Sequence, residues 1–144
     1  MRSQAVIALI VGALVSGGAR AAEDDEAGDA AMGAEPKLVY VELKPTFVTN
    51  FGPADTPRLM YLKADVALRV RGAVGFSATE AHAPALRNEL VLLLSQLDEG
   101  SVTTTEGRED VRLEALDALN RVMEREEGEQ LVEDILFTNF IVQR

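Results

Sequence analysis

The chain has 144 residues with 24 acidic against 14 basic side chains, a net charge of −10 and a pI near 4.5. That length is typical of one domain, and the negative charge disfavours nucleic acid or anionic lipid as a partner because the basic residues are scattered. Cysteine is absent, which excludes disulfides, thiol nucleophiles and thiolate metal sites.

The N-terminus has the features of an export signal. One positive charge at Arg2 precedes the apolar run Ala5–Val15, and Ala19-Arg20-Ala21 fits the small-x-small pattern before a signal-peptidase cut. A membrane span needs roughly 20 apolar residues, which is more than this run supplies. Residues 1–21 are therefore interpreted as a cleaved signal peptide, with a short uncleaved membrane anchor as the alternative, and the rest of the chain is expected to be exported.

An acidic segment follows at residues 22–36, AEDDEAGDAAMGAEP, without a basic residue. Such a composition buries too little apolar surface to offset the entropy of ordering, so we predict a disordered linker. Calcium capture by the acids at 23–26 and Asp29 is the functional alternative. The segment lacks the ligand spacing and turn glycine of an EF-hand loop, which favours a solvated tether.

The first part of the predicted domain, 37–144, reads as strands. Residues 37–43 alternate, 46–51 form a second short strand after Pro45, and 58–70 show the clearest period of two in the chain. On that long strand, one face is apolar at Met60, Leu62, Ala64, Val66, Leu68 and Val70. Its other face is expected to meet water or a partner, and it carries Leu59, Tyr61, Lys63, Asp65, Ala67 and Arg69. Residues 71–75 are predicted to be a turn.

Two helices are predicted next. The first begins near Pro84 and buries a leucine stripe through Leu97, with Gly100 closing the helix in the left-handed conformation. The threonines 103–105 offer N-caps to the second helix. Its buried stripe is Val111, Ala115, Ala118, Leu119 and Val122.

The final segment, 135–144, is apolar on both faces, which predicts a central strand of the sheet. Thr138-Asn139 interrupts it and suggests a β-bulge. The order of strands, two helices and a last strand gives an α+β fold with an antiparallel or mixed sheet and a C-terminal central strand.

These segments together resemble the family of the flagellar basal-body-associated protein FliL. The resemblance rests on PALRNELVLLLS (84–95), TTTEGREDVRLEALDALNRVM (103–123) and the closing VEDILFTNFIVQ (132–143). KLVYVELKPTFVTNF and RLMYLKADVALRV match the strands of the family's N-terminal part, so the resemblance covers roughly 37–144.

The resemblance implies a non-enzymatic accessory of the flagellar motor, without a cofactor. Members of the family are usually single-pass inner-membrane proteins whose periplasmic domain resembles the stomatin/prohibitin (SPFH) domain. That domain forms a homo-oligomeric ring around stator units and supports stator engagement, torque and control of rotation in swimming and swarming. The short apolar run at the N-terminus departs from this pattern and leaves open a soluble periplasmic form.

A search for catalytic residues finds no constellation. His82, the single histidine, is interpreted as a surface residue in a loop. Glu109-Asp110 is interpreted as solvated charge, and Glu133-Asp134 cannot share one site because neighbours on a strand face opposite sides. We therefore predict no catalytic, cofactor-binding or metal-binding residue.

Three classes of function remain at this stage. The first is a flagellar accessory acting through protein–protein contacts, with the strand face at Lys63, Asp65 and Arg69 and the basic turn at Arg71 as candidate contact points. The second is a generic periplasmic scaffold or binding domain unconnected with the flagellum. The third, an enzyme or small-ligand carrier, requires a deep pocket with convergent polar groups.

Overall fold

Four strands and four helices make up the part of the chain that the computed structural model describes, residues 35–53, 55 and 58–144. The predicted signal peptide and nearly all of the acidic segment lie outside these residues. The strands are β1 (Leu38–Glu42), β2 (Phe47–Phe51), β3 (Met60–Arg71) and β4 (Val132–Gln143). The helices are α1 (Gly72–Ala81), α2 (Ala83–Ser95), α3 (Glu99–Thr103) and α4 (Thr105–Glu127).

The strands form one antiparallel sheet around β3. β1 and β2 lie end to end along one edge of β3, with Leu38 opposite Arg71 and Phe51 opposite Met60. β4 covers the other edge, from Gln143 opposite Tyr61 to Val132 opposite Val70. With helices packed on this sheet, the α+β fold expected from the sequence is confirmed.

The prediction that the C-terminal strand is central is wrong. Within the described residues β4 pairs with β3 alone, and β3 is the central strand. The sequence pattern was misleading because β4 has apolar side chains on both faces although one face stays open. Leu136 and Ile141 on that face are 36% and 42% exposed.

The bulge at Thr138-Asn139 is confirmed. Asn139 lies opposite Asp65 and Phe137 opposite Val66, so Thr138 is the extra residue. A second irregularity lies at Glu133, between Asp134 opposite Arg69 and Val132 opposite Val70. The two bulges keep the apolar residues Ile135, Phe137, Phe140 and Val142 on the buried side of the sheet.

The core fills the space between one face of the sheet and the helices. The even-numbered residues of β3 from Met60 to Val70 are buried, as their period of two predicts. Against them pack the leucine stripe of α2 and the predicted stripe of α4, and both stripes are confirmed: Leu86, Leu90, Leu94, Leu97, Val111, Ala115, Ala118, Leu119 and Val122 are buried.

Helix α1 stands where a turn was predicted at 71–75. The sequence does not predict this helix, because it contains two glycines, which are poor helix formers, and has no apolar stripe. Small side chains stabilise it instead through close packing. Gly75, Ala78 and Thr79 are buried, and the Thr79 hydroxyl donates to the Gly75 carbonyl at 2.8 Å. Tertiary packing therefore overrides a weak local propensity.

The junction between α2 and α4 also differs from the prediction. Gly100 does not close α2; it lies within α3, which begins after the N-cap Asp98. Thr104 does cap α4 as predicted, since its hydroxyl accepts from the Gly107 N–H at 2.9 Å. Gly107 is required there because a Cβ would lie 2.6 Å from the Gly100 carbonyl oxygen.

A single buried amide joins α4 to the start of β4. The Asn120 side chain donates to the Val132 carbonyl at 2.8 Å and accepts from the Val132 N–H at 3.1 Å. Both residues are buried, so water cannot replace these bonds. The pair fixes where β4 begins relative to the helix layer.

We expect Asn120→Ala to lower the free energy of unfolding by at least about 2 kcal/mol, because two buried backbone groups lose their partners at about 1–3 kcal/mol each. Urea denaturation followed by circular dichroism measures the change. Asn88→Ala, at an exposed position of α2, is the matched control and should shift stability by less than about 0.5 kcal/mol. Equal midpoints for the two variants would contradict the role of Asn120.

Candidate functional site

The face of the sheet turned away from the helices, here called the open face, is the candidate site. Its residues lie in rows across the strands: Tyr40, Arg69 and Asp134; Glu42, Ala67 and Leu136; Asp65 and Asn139; Val48, Lys63 and Ile141; Asn50, Tyr61 and Gln143. The period of two in β3 places these side chains opposite the core. The face thus presents one side of every strand.

Arginine–carboxylate pairs occupy one end of the open face. Arg69 Nη2 lies 3.9 Å from Asp134 Oδ2, and Arg112 of α4 reaches the other oxygen of the same carboxylate. Arg112 also donates to both carboxylate oxygens of Glu109, and these hydrogen bonds lower the pKa of Glu109. Asp134 is therefore shared by the sheet and the helix layer.

Arg71 forms a second pair at this end. Its guanidinium donates to Glu133 Oε1, and Glu133 is the bulged residue of β4. The bulge turns the Glu133 side chain to where Arg71 reaches it. Both predicted arginine contact points are thus engaged in pairs within the chain, which sequence reasoning did not anticipate because their partners are about 60 residues away.

The Lys63 and Asp65 positions lie nearer the middle of the open face. The Thr46 hydroxyl donates to Asp65 Oδ1 at 2.5 Å and lowers the pKa of that carboxyl, with smaller lowering from Asn139 and Lys63. Thr46 belongs to the kink between β1 and β2, which follows a cis peptide bond at Lys44-Pro45. The hydrogen bond from Thr46 to Asp65 connects this kink to the centre of β3.

Sequence reasoning expected Tyr61 on the outward face of β3 but did not identify the apolar side chains that β1, β2 and β4 add to the open face. Tyr40 is 59% exposed and Val48 is 66% exposed, and Tyr61, Leu136 and Ile141 share the same face. The alternation of β1 and β2 is visible in the sequence, but it does not indicate that Tyr40 and Val48 share a surface with the outward residues of β3. Val48, Tyr61 and Ile141 lie in adjacent rows at one end of the face, and Tyr40 lies toward the other end, opposite Arg69. Exposed apolar side chains grouped among polar ones can serve as a protein–protein contact surface.

The remaining candidate residues make structural pairs. His82 lies between α1 and α2 with Nε2 2.6 Å from Glu127 Oε1 near the end of α4, so it joins two helices at a partly exposed position. In the described part of the chain, no group of three or more His, Cys, Asp or Glu side chains is placed to hold a metal ion. The described helices also include none that is long and apolar enough to cross a membrane.

A cleft of about 450 Å³ borders the kink between β1 and β2. Its lining includes Lys44, Pro45, Thr46, Asp65 and Thr138. Two of these polar groups, Thr46 and Asp65, already bond to each other. Arg87 of α2 closes the other side of the kink, donating to the Pro45 carbonyl at 2.7 Å.

We expect Thr46→Val to raise the pKa of Asp65 toward its ordinary value, because the variant removes the hydroxyl that stabilises the carboxylate. The folded-state pKa of Asp65 is lowered, so its contribution to stability is present above the unfolded pKa and is lost as pH falls through the folded pKa. In Thr46→Val that contribution should be smaller, and its loss should be complete at a higher pH, because the folded-state pKa of Asp65 lies closer to the unfolded one.

Carboxyl-carbon NMR shifts of Asp65 between pH 2 and pH 6 measure this change. Thr49→Val is the control, since the Thr49 hydroxyl donates to a backbone carbonyl. An unchanged titration of Asp65 in Thr46→Val would refute the assignment of the pKa shift to Thr46.

Comparison with known proteins shows the family of this chain. The family model described as "Flagellar basal body-associated protein FliL" matches residues 40–143, from β1 to the end of β4. The flagellar protein FliL of Escherichia coli (strain K12) is 30% identical over 122 residues, which cover 85% of this chain and 74% of that protein. The same figures hold for FliL of Shigella flexneri.

A more distant relative is the flagellar protein FliL of Aquifex aeolicus (strain VF5), 26% identical over 105 residues. The match covers 73% of this chain and 62% of the Aquifex protein, so the chain spans less than two thirds of that relative's length. The family match extends over all four strands and all four helices that the structure describes. The chain belongs to the family of flagellar basal body-associated FliL proteins.

Proposed function

We propose that this protein is a non-enzymatic accessory of the flagellar motor that supports stator engagement and the control of flagellar rotation in swimming, swarming and chemotaxis. Membership of a flagellar basal body-associated family supports the setting. The proposed partners are stator or other motor proteins and further copies of the same chain in a ring. Nucleic acid is not a proposed partner, in keeping with the net charge of −10.

The proposed location is the periplasm, or the periplasmic face of the inner membrane at the basal body. The N-terminal pattern of residues 1–21 supports export, either by a cleaved signal or by a short anchor that associates with the membrane. Residues 22–36 would then act as an acidic tether to the domain at 37–144. Determining the N-terminal mass of the protein in membrane and soluble fractions distinguishes the two forms.

The observation that carries the proposal of contact-based function is the set of exposed apolar side chains on the open face. Tyr40, Val48 and Ile141 lie on three different strands, so apolar side chains are distributed across the whole width of the sheet. The nearby arginines are held by Glu133 and Asp134. The rim is therefore polar and balanced in charge, as in many non-obligate interfaces.

Removing the gene should reduce swimming and swarming and lower the number of stators that a fluorescent stator fusion shows at each motor. Complementation with the intact gene should restore both. Unchanged motility and stator occupancy in the deletion strain would argue against a motor role and favour a scaffold unconnected with the flagellum.

We expect the double variant Tyr40→Ser, Val48→Ser to reduce motility and stator occupancy several-fold while leaving the fold intact, because both side chains are largely exposed. Swim-plate diameters and stator counts measure the effect at matched protein levels. Leu92→Ser, Leu113→Ser is the control, since it removes two exposed apolar side chains from helices. Equal motility for the two double variants would exclude the open face as the contact surface.

The contribution of Arg71 to a contact is tested by exchanging the pair, Arg71→Glu with Glu133→Arg. The exchange retains an ion pair, and exposed pairs contribute only about 0–1 kcal/mol, so the folded domain should persist. It reverses the local charge pattern, and a stator contact at this position should weaken. If the exchanged variant pulls down as much stator protein as the unaltered chain does, Arg71 does not contribute to the contact.

A further inference from the structure

The outer edge of β4 carries backbone groups that point away from the sheet. The Leu43 N–H donates to the Val66 carbonyl, and the Leu131 carbonyl accepts from the Arg71 N–H. Even-numbered residues of β3 therefore turn their backbone groups toward β1 and β2, and odd-numbered residues turn toward β4. On β4, the residues opposite even-numbered partners therefore direct their backbone N–H and C=O groups away from the sheet, along its outer edge. These residues are Val132, Ile135, Phe137, Phe140 and Val142.

In the first half of this edge, three of the outward backbone groups already have partners within the chain. Asn120 takes both backbone groups of Val132, and the Asp134 carboxylate accepts from the Ile135 N–H at 2.8 Å. Asp134 is itself held by Arg69 and Arg112. Another strand cannot pair here without displacing a buried amide and a shared carboxylate.

In the second half of the edge, the outward backbone groups lack hydrogen-bond partners within the described residues. No hydrogen bond within the described residues reaches the outward backbone groups of Phe137, Phe140 or Val142. A row of unsatisfied backbone groups on an edge strand is a template for a further strand. Residues 137–143 are uncharged, so a chain of net charge −10 can bring this segment against a second copy without placing like charges opposite each other.

We propose that two copies of the chain pair antiparallel through this half of β4, about a two-fold axis at Ile141. Phe140 then lies opposite Val142 of the second copy, and the two such pairs exchange four backbone hydrogen bonds. Ile141 lies opposite its own equivalent, and Asn139 lies opposite Gln143, so apolar meets apolar and amide meets amide. Registers centred nearer the N-terminal half meet the bulge at Thr138 and the satisfied groups.

This pairing extends the open face of one copy into that of the other. The row Val48, Lys63 and Ile141 becomes continuous across the axis, with the two isoleucines at its centre. The inference deepens the self-association in the proposed function and rests on that part of it alone. A two-fold contact is self-complementary and closes at a dimer, which becomes the unit from which any ring is built.

A single introduced cysteine tests the register, because the chain has none of its own. Ile141 would form a non-hydrogen-bonded pair with its equivalent, where the Cα atoms are about 4.5 Å apart, within reach of a disulfide. Under mild oxidation of the purified full chain, Ile141→Cys should give a disulfide dimer that SDS gel electrophoresis detects. Val48→Cys lies at the far side of the sheet, where Val48 is 66% exposed against 42% for Ile141, and it should remain monomeric on the gel.

Charge substitutions at the same position provide an independent measurement. Ile141→Lys and Ile141→Glu each place like charges on the axis and should raise the dimer dissociation constant, by sedimentation equilibrium, at least about tenfold. Mixing the two variants should restore dimers, because lysine then meets glutamate. Circular dichroism of each variant checks that the exposed substitution leaves the fold unchanged.

Three results would overturn the pairing. The first is a disulfide that forms only between Ile141→Cys and Val48→Cys chains, which indicates head-to-tail contact. The second is self-association that persists equally in Ile141→Lys, which places the contact elsewhere. The third is a full chain that stays monomeric at all concentrations, which removes self-association altogether. None of these depends on motility, so a motor role established by gene deletion stands or falls separately.

Discussion

The central position of β3 is the constraint on which the rest of the structure depends. Every other described strand hydrogen-bonds to it, and its period of two divides the protein into a helix-covered side and an open side. Leu62, Ala64 and Leu68 are fully buried, whereas Lys63 between them faces outward. One strand therefore supplies both the core and the candidate contact surface, from alternate residues.

Three arginines link β3, β4 and α4 at the edge of that sheet. Arg69, Arg71 and Arg112 engage Glu133, Asp134 and Glu109, which join β3, β4 and α4. Single exposed pairs contribute little, but a carboxylate shared by two arginines fixes the geometry of a whole corner. Charge at this end of the open face is thereby balanced within the chain, so a contact with the proposed partners would rest mainly on shape and on the exposed apolar side chains.

The sequence predicted features that depend on local pattern and missed those that depend on distant partners. The alternation of β3, the leucine stripe of α2, the Thr104 cap and the bulge at Thr138 all follow from neighbouring residues. The place of β4 in the sheet does not, because periodicity indicates which face a side chain takes and not which strands lie alongside. Helix α1 was missed since its stability comes from packing around Gly75 and Thr79. The arginine–carboxylate pairs join residues far apart in the chain.

The two edges of the sheet are managed in different ways, and the difference explains where association is permitted. On one edge the kink at Pro45 divides the pairing into two five-residue strands, and Arg87 bonds to the Leu43 and Pro45 carbonyls at the break. Short, interrupted edges resist pairing with other chains. On β4 only the first half is protected, by Asn120 and Asp134. The second half of β4 has no such protection within the described residues, and it is the part of the edge that the proposed pairing of two copies would use.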